Sequence, residues 1–277
     1  MCEFCHKHGE GQKWYLRAEN YSEDLLSDLR RRKFIQDFTR TPDNVRDRVR
    51  KSGQFMSLPP FVRGVMTPMV VNRQKKAHYG QVVPMEEIER IFAFVNSVFR
   101  FSCNCRQAMT GSVQRYCYGV SMVTQDESRF ARILSSSYLA GPGTGGLETL
   151  SKDEAMTSLR ELEKDGLCHT VWTFNTPFIG GICNCHSDCP TIRSTIMGLP
   201  VMFRAEYVTE IKPEACNGCR RCMRLCQFGA MRFSVANEKV LVDPQRCYGC
   251  GICRSLCTKD AIVLNERSSV PLAAHVW

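Results

Sequence analysis

Cys216-x2-Cys219-x2-Cys222-x3-Cys226 is followed, at a constant offset of 31 residues, by Cys247-x2-Cys250-x2-Cys253-x3-Cys257. Thiolate is a soft ligand, and four thiolates at the corners of a tetrahedron suit a cubane iron–sulfur cluster. A short loop with two residues between cysteines curls round one side of a cube and supplies three corners. Its geometry keeps it from the fourth, so that ligand comes from the start of the other copy's helix. This assigns Cys216, Cys219, Cys222 and Cys257 to one 4Fe-4S cluster, and Cys247, Cys250, Cys253 and Cys226 to a second. Zinc also takes four thiolates from CxxC pairs. It usually draws them from two separated pairs, whereas here three evenly spaced cysteines and a fourth occur twice, so iron and sulfide are the better match.

Residues 205–267 resemble the two-cluster bacterial ferredoxin. The halves align internally: Gly218 with Gly249, Ala230 with Ala261, and Met231-Arg232-Phe233 with Ile262-Val263-Leu264. The resemblance implies a pseudo-two-fold unit in which each half runs strand, cluster loop, short helix, strand. Val201 to Ile211 and Lys239 to Val242 are the expected leading strands. The family usually has proline directly after the fourth cysteine, and here Gln227 and Thr258 stand there. Two backbone N–H groups are thereby gained near the clusters. Hydrogen bonds to cluster sulfur tune reduction potential, so a typical ferredoxin potential does not carry over.

Removing those eight leaves nine of the 17 cysteines, and six of the nine fall in two groups: Cys103, Cys105 and Cys117, then Cys183, Cys185 and Cys189. Both groups begin Cys-Asn-Cys. In an extended loop the two cysteines of such a triplet are expected to point to opposite sides, whereas a tight turn aims both at one metal. Two such loops brought together could supply a third metal site or cluster, with His169 or His186 as further ligands. Buried free thiols are the plainer alternative, and His169 alone is more often a hydrogen-bonded core residue. Cys2-x2-Cys5-His6-x-His8 could also hold a metal, although thiols in a short terminal stretch are often incidental. His78-Tyr79-Gly80-Gln81-Val82, Cys103-x-Cys105-Arg106, Gly166-Leu167-Cys168-His169 and Cys183-Asn184-Cys185 look similar to an upstream domain found before two-cluster ferredoxins in proteins of anaerobes. That resemblance spans residues 75–190 and implies an architecture without naming a reaction.

The elements that must carry these thiols are partly legible. Ser22 caps an expected helix through Phe38, with Glu23 and Asp24 in its first turn, and Thr41-Pro42 starts a second. Residues 55–83 read as irregular because Pro59, Pro60 and Pro68 interrupt them. Pro84-Met85-Glu86-Glu87 opens a helix with an apolar stripe of Ile88, Ile91, Phe92, Val95 and Val98, expected to run directly into Cys103. Gly141-Pro142-Gly143-Thr144-Gly145-Gly146 matches the dinucleotide fingerprint literally. The segment before it, Leu134 to Ala140, is a poor strand, and the next helix begins only at Ser151, so a plain connecting loop is expected. Ser151-Lys152-Asp153-Glu154 is a capping box for a helix to Lys164, ended by Gly166 and followed by a strand over Leu167 to Phe174.

The fold class expected is α+β: a C-terminal dicluster ferredoxin unit over residues 205–267, a larger and mostly helical cysteine-rich region over residues 1–200, and a tail from 268 to 277. The chain has no apolar run of about 18 residues, so no membrane span is expected. The cysteine spacings fit metal ligation in a reducing, oxygen-poor cytoplasm better than secreted disulfides. The formal charge of +9 falls to near +5 if each cluster with its thiolates carries roughly −2. Arg30-Arg31-Arg32-Lys33 lies on an expected helix, where a solvated face is the simpler reading than a nucleic-acid patch. The leading function is single-electron transfer through two 4Fe-4S clusters to or from a redox partner protein. Two alternatives remain: a ferredoxin-fused redox enzyme subunit with a third metal centre, and an oxygen or redox sensor.

Overall fold

A computed structural model describes residues 1–277, with the side chains of Ala140 and Pro142 left aside. It is a mixed helix-and-sheet structure, consistent with the α+β class. The chain begins with a short helix, α1 (Glu3–His8), and three single turns of 3₁₀ helix up to Ser27. Helices α2 (Leu29–Thr39), α3 (Pro42–Met56) and α4 (Pro60–Ala77) follow. Ser22 caps the 3₁₀ turn Glu23–Ser27, and Asp28, not Ser22, caps α2 by accepting from the Arg30 N–H. The stretch expected to be irregular is therefore mostly helix. Pro60 sits at the first helical position, where its missing N–H costs nothing and its fixed φ favours the helix. Pro68 lies inside α4 and only interrupts its bonding. No side chain of α4 is fully buried, and Phe61, Val65 and Met69 stand out into solvent.

From residue 80 the organising element is a sheet. In chain order come β1 (Gly80–Val82), α5 (Met85–Phe94), β2 (Ser97–Phe101), α6 (Asn104–Thr110), β3 (Cys117–Ser121), α7 (Arg129–Ser135), β4 (Glu148–Leu150), α8 (Lys152–Lys164), β5 (Cys168–Thr173), β6 (Ile179–Cys185), α9 (Pro190–Ile196) and β7 (Met202–Phe203). The seven strands lie in the order β4-β2-β3-β6-β5-β1-β7. All neighbours are antiparallel except β1 and β7. Helices predominate upstream, as expected, and several of them pack on this sheet. The short Val- and Thr-containing runs that make the strands are each only 2–7 residues long and carry little periodic signal. Helix α5 stops at Phe94, because Val98 and its neighbours are taken into β2, so a strand and not a helix leads to Cys103. The glycine-rich segment is a closed connecting loop, with the Thr144 hydroxyl donating to Gly141 O at 2.7 Å. Leu134 falls at the end of α7. The capping box at Ser151 and Glu154 is formed as expected.

Because a strand presents alternate residues to opposite faces, the sheet has two distinct sides. One side carries Val98, Tyr118, Val120, Val171 and Ile182, packed with Ile88 and Ile91 of α5 and Ala155 and Leu159 of α8. Each such aliphatic residue, fully buried, contributes roughly 1.5–3 kcal/mol. The other side carries Phe99, Phe101 and Cys117 against α2 and α7, then Cys168, Trp172 and Cys185 against the C-terminal unit. Gly119 and Gly80 face Phe99 and Trp172 across their strand pairs. A Cβ there would lie 1.8 Å from the Phe99 ring and 2.7 Å from the Trp172 ring, so only glycine admits those side chains.

The C-terminal unit contains β8 (Tyr207–Ile211), α10 (Arg221–Leu225), β9 (Met231–Ser234), β10 (Lys239–Val242), α11 (Ile252–Ser255) and β11 (Ile262–Glu266). β8 pairs antiparallel with β11, and β9 with β10. The expected leading strand over Val201 to Ile211 is split: Met202 and Phe203 join the upstream sheet, and only Tyr207 onward belongs to this unit. The last residues fold back, with Ala273 fully buried beside Val208 and Cys247.

Candidate metal centres

Each cysteine loop of the C-terminal unit turns on a left-handed glycine. Gly218 has φ +68°, and a Cβ on it would lie 2.2 Å from Glu238 O; Gly249 has φ +69°, and its Cβ would lie 2.0 Å from Tyr207 O. The 31-residue offset that relates the glycines also relates Tyr207 to Glu238. Each loop is thus pressed against the leading strand of the other half. That crossing brings Cys257 beside Cys216, Cys219 and Cys222, which share a small cavity of about 20 Å³. Burial, then the neighbouring Cys219 and Cys216 sulfurs, push the Cys222 thiol up to about 11. In the other half, Cys226 comes near Cys250 and Cys247, and Cys253 near Cys250, Cys247 and Cys226.

Among the described residues, no three of these eight sulfurs lie within 4.8 Å of one another. A single zinc with bonds of about 2.3 Å would draw its sulfurs to about 3.8 Å apart. The wider spacing suits a larger inorganic core. Hydrogen bonding differs between the halves. Cys247 Sγ accepts from the Thr209 and Gly249 N–H groups, each at 3.4 Å, and Cys226 Sγ accepts from the Ala230 N–H at 3.3 Å. The Thr209 hydroxyl lies 3.6 Å from Cys253 Sγ. The buried Arg267 guanidinium donates to Ala205 O, Tyr207 O and Cys247 O, fixing the second loop to β8.

Residues 215–261 match the family model of the 4Fe-4S dicluster domain. This C-terminal part of the chain is similar to an iron–sulfur, ferredoxin-like domain. No curated protein and no solved structure matches the chain. No helix among the described residues is long and apolar enough to cross a membrane.

Upstream of the ferredoxin-like unit, the six remaining paired-group cysteines line one apolar cavity of about 50 Å³, together with His78, Phe38 and Trp172. Cys103 and Cys105 sit at the start of α6, where a tight turn aims both inward. Cys183 and Cys185 reach the same cavity from a strand, contrary to the expectation that an extended triplet would split them. Residues two apart in a strand share a face, so the pair is delivered together and Asn184 points the other way. Cys117 is the cross-strand partner of Cys183, with sulfurs 3.9 Å apart, and Cys189 at the start of α9 lies 3.5 Å from Cys185. Hydrogen bonding with the Cys105 and Cys185 sulfurs holds Cys189 well below the usual thiol range. The hydrogen bond to Cys189 and then burial push Cys105 and Cys185 up.

Neither candidate histidine joins the group. His169 pairs with Asn184 across the sheet and therefore faces away from Cys183 and Cys185. Its Nδ1 lies 2.6 Å from Asn184 Oδ1, and burial lowers its pKa to about 4, leaving a neutral core imidazole. His186 is half-buried, 3.7 Å from Asp188. Arg106 is held by Asp188 at 3.2 Å and lies over the Tyr116 ring.

Three residues take parts that the sequence did not assign to them. His78 lines the cavity with its ring stacked on Trp172 and its Nδ1 2.5 Å from Thr173 O. Cys168, opposite Cys185 in the sheet, lies within hydrogen-bond reach of Cys250. Gln227, in the usual proline position, donates to Gly166 O and, at 3.3 Å, to Cys185 O. Cys168 and Gln227 together join the upstream cavity to the second cysteine loop, beside the stacked rings of Phe228 and Tyr248, whose centroids are 4.0 Å apart.

Proposed function

We propose that this protein carries single electrons through two 4Fe-4S clusters to or from a redox partner protein. Cys216, Cys219, Cys222 and Cys257 would hold one cluster, and Cys247, Cys250, Cys253 and Cys226 the other. The observation that supports this best is the placement of each fourth cysteine beside the other loop's three, with sulfurs spaced too widely for a lone ion. Bound there, the clusters would supply the one-electron chemistry. The chain's own part is to fix the thiolates, direct N–H donors at sulfur and exclude water from the second loop. Around the first loop, Lys212, Arg220, Arg221, Arg224 and Lys259 are exposed against Glu214 and Asp260, which suits an acidic partner surface.

A third centre held by four of the six upstream cysteines extends this reading. The chemistry of the donor set supports it: buried thiols crowd one another and resist ionisation unless a cation is present. Through Cys168 and Gln227 such a centre would adjoin the second cluster. A second reading, a ferredoxin-fused redox enzyme subunit, is favoured by six thiols where four complete a cube. It expects a centre whose electron paramagnetic resonance signal shifts on adding cyanide.

Anaerobic purification with iron and sulfide analysis tests the proposal. About eight iron and eight sulfide per chain are expected from two cubes, and about twelve of each with a third. Protein that holds zinc but no sulfide overturns it.

A further inference from the structure

Outside the cysteines already placed, Cys2, Cys5 and Glu206 meet in the interior. Among the described residues they are the one group of three potential ligand atoms from His, Cys, Asp or Glu that all lie within 4.8 Å of one another. Cys2 Sγ is 3.2 Å from Cys5 Sγ, and Cys5 Sγ is 3.1 Å from Glu206 Oε1. Gln81 closes the ring, with its Oε1 3.6 Å from Cys2 Sγ and its Nε2 3.4 Å from Glu206 Oε1. Trp14 Nε1 donates to the same Gln81 oxygen and fixes its direction. A tetrahedral zinc with bonds of about 2.0–2.3 Å has edges of about 3.3–3.8 Å, so a small opening of this ring would admit one.

We infer that Cys2, Cys5 and Glu206 bind one zinc ion, with Gln81 Oε1 at the fourth position. Two arguments exclude the obvious rival, a redox-active dithiol. Both cysteines are 0% exposed, so no partner thiol can reach either sulfur for exchange. Glu206 is also buried and forms no salt bridge among the described residues, the buried Arg267 guanidinium acting on it only at longer range. Two thiol sulfurs and a carboxylate enclosed together are a donor set that suits a divalent cation, which on binding would displace the proton that Cys5 donates to Glu206. The ion would fasten α1, which carries Cys5 and has Cys2 at its N-cap, to Glu206 directly before β8. The histidines of the N-terminal motif take no part: His6 is exposed and His8 packs edge-on against Phe4. This site is independent of the iron–sulfur reading.

The test is metal analysis of the anaerobically purified full chain beside its Cys5→Ser and Glu206→Gln variants. Wild type is expected to hold one zinc per chain, with two sulfurs at about 2.3 Å by zinc X-ray absorption. Cys5→Ser is expected to lose that zinc. Glu206→Gln keeps the shape of the site, so it guards against a folding defect. It is expected to keep wild-type iron and sulfide while releasing zinc to a colorimetric chelator at least about tenfold faster. Zinc absent from wild type overturns the inference. So does equal zinc release from wild type and Glu206→Gln, or a Cys2–Cys5 disulfide in peptides of the anaerobic protein.

Discussion

The two cysteine loops of the ferredoxin-like unit repeat one spacing and one glycine, yet they sit in different surroundings. In the first, Cys219 is exposed, Cys216 is half-buried and Cys222 is buried, and the Cys257 that joins them from the other run is half-buried. In the second, Cys247 and Cys253 are buried, and Cys250 faces Cys168 of the upstream sheet. Cys247 of the second loop also receives N–H donors from Thr209 and Gly249, and Cys226, which reaches across to it, receives one from Ala230. Ligand geometry therefore comes from the repeat, whereas the electrical environment comes from what the repeat leaves out. On the proposed reading, water and salt would govern the outer cluster, and protein dipoles would govern the inner one. The outer cluster would then exchange electrons with a partner, and the inner one would relay them inward.

The sharpest break in this comparison is removal of one ligand from each side. Cys253→Ser and Cys219→Ser should each cost about four iron and four sulfide per chain. Only Cys253→Ser, at a buried junction with Thr209, should also lower the melting temperature markedly, as followed by circular dichroism. Equal melting temperatures would erase the distinction between inner and outer loops. Next in size, Gly249→Ala and Gly218→Ala should each destabilise by about 1–3 kcal/mol, since both combine a positive φ with a Cβ on a carbonyl oxygen. Gly11→Ala, at φ +82° with open space around it, should cost at most about 1 kcal/mol in the same denaturant titration.

Ferricyanide oxidation should release iron in two phases, the first of about four iron from the outer cluster. A single phase would mean that burial does not separate the two. The smallest effect expected is from Thr209→Val, which removes the hydroxyl beside Cys253. It should lower only the inner cluster's reduction potential, by no more than roughly 40 mV, the one-electron equivalent of a net hydrogen bond of about 1 kcal/mol. A redox titration followed by electron paramagnetic resonance would check it.

How much of this was legible depended on the range of the interactions. The eight C-terminal cysteines and the Ser151 capping box declare themselves within a few residues, because spacing alone encodes their geometry. The upstream sheet did not. Its strands pair across long separations, as Phe101 with Cys117 and Cys117 with Cys183, and no local periodicity announces such partners. Proline misleads at α4, where Pro60 starts a helix and Pro68 only interrupts one. His169 was a weak ligand candidate, and strand alternation explains why: its face of β5 is opposite to that of Cys168. Glu206 lies 201 residues from Cys5, so nothing near the N-terminal motif could have pointed to it.

The thiols of the upstream cavity depend on parity. Cys183 and Cys185 share one side of β6, and Cys168 stands on that same side of β5. Inserting a single residue within β6 between Gly181 and Cys183 would turn both β6 sulfurs toward α5 and α8, leaving Asn184 to face the cavity. Descendants of this chain can therefore edit these strands only in steps of two.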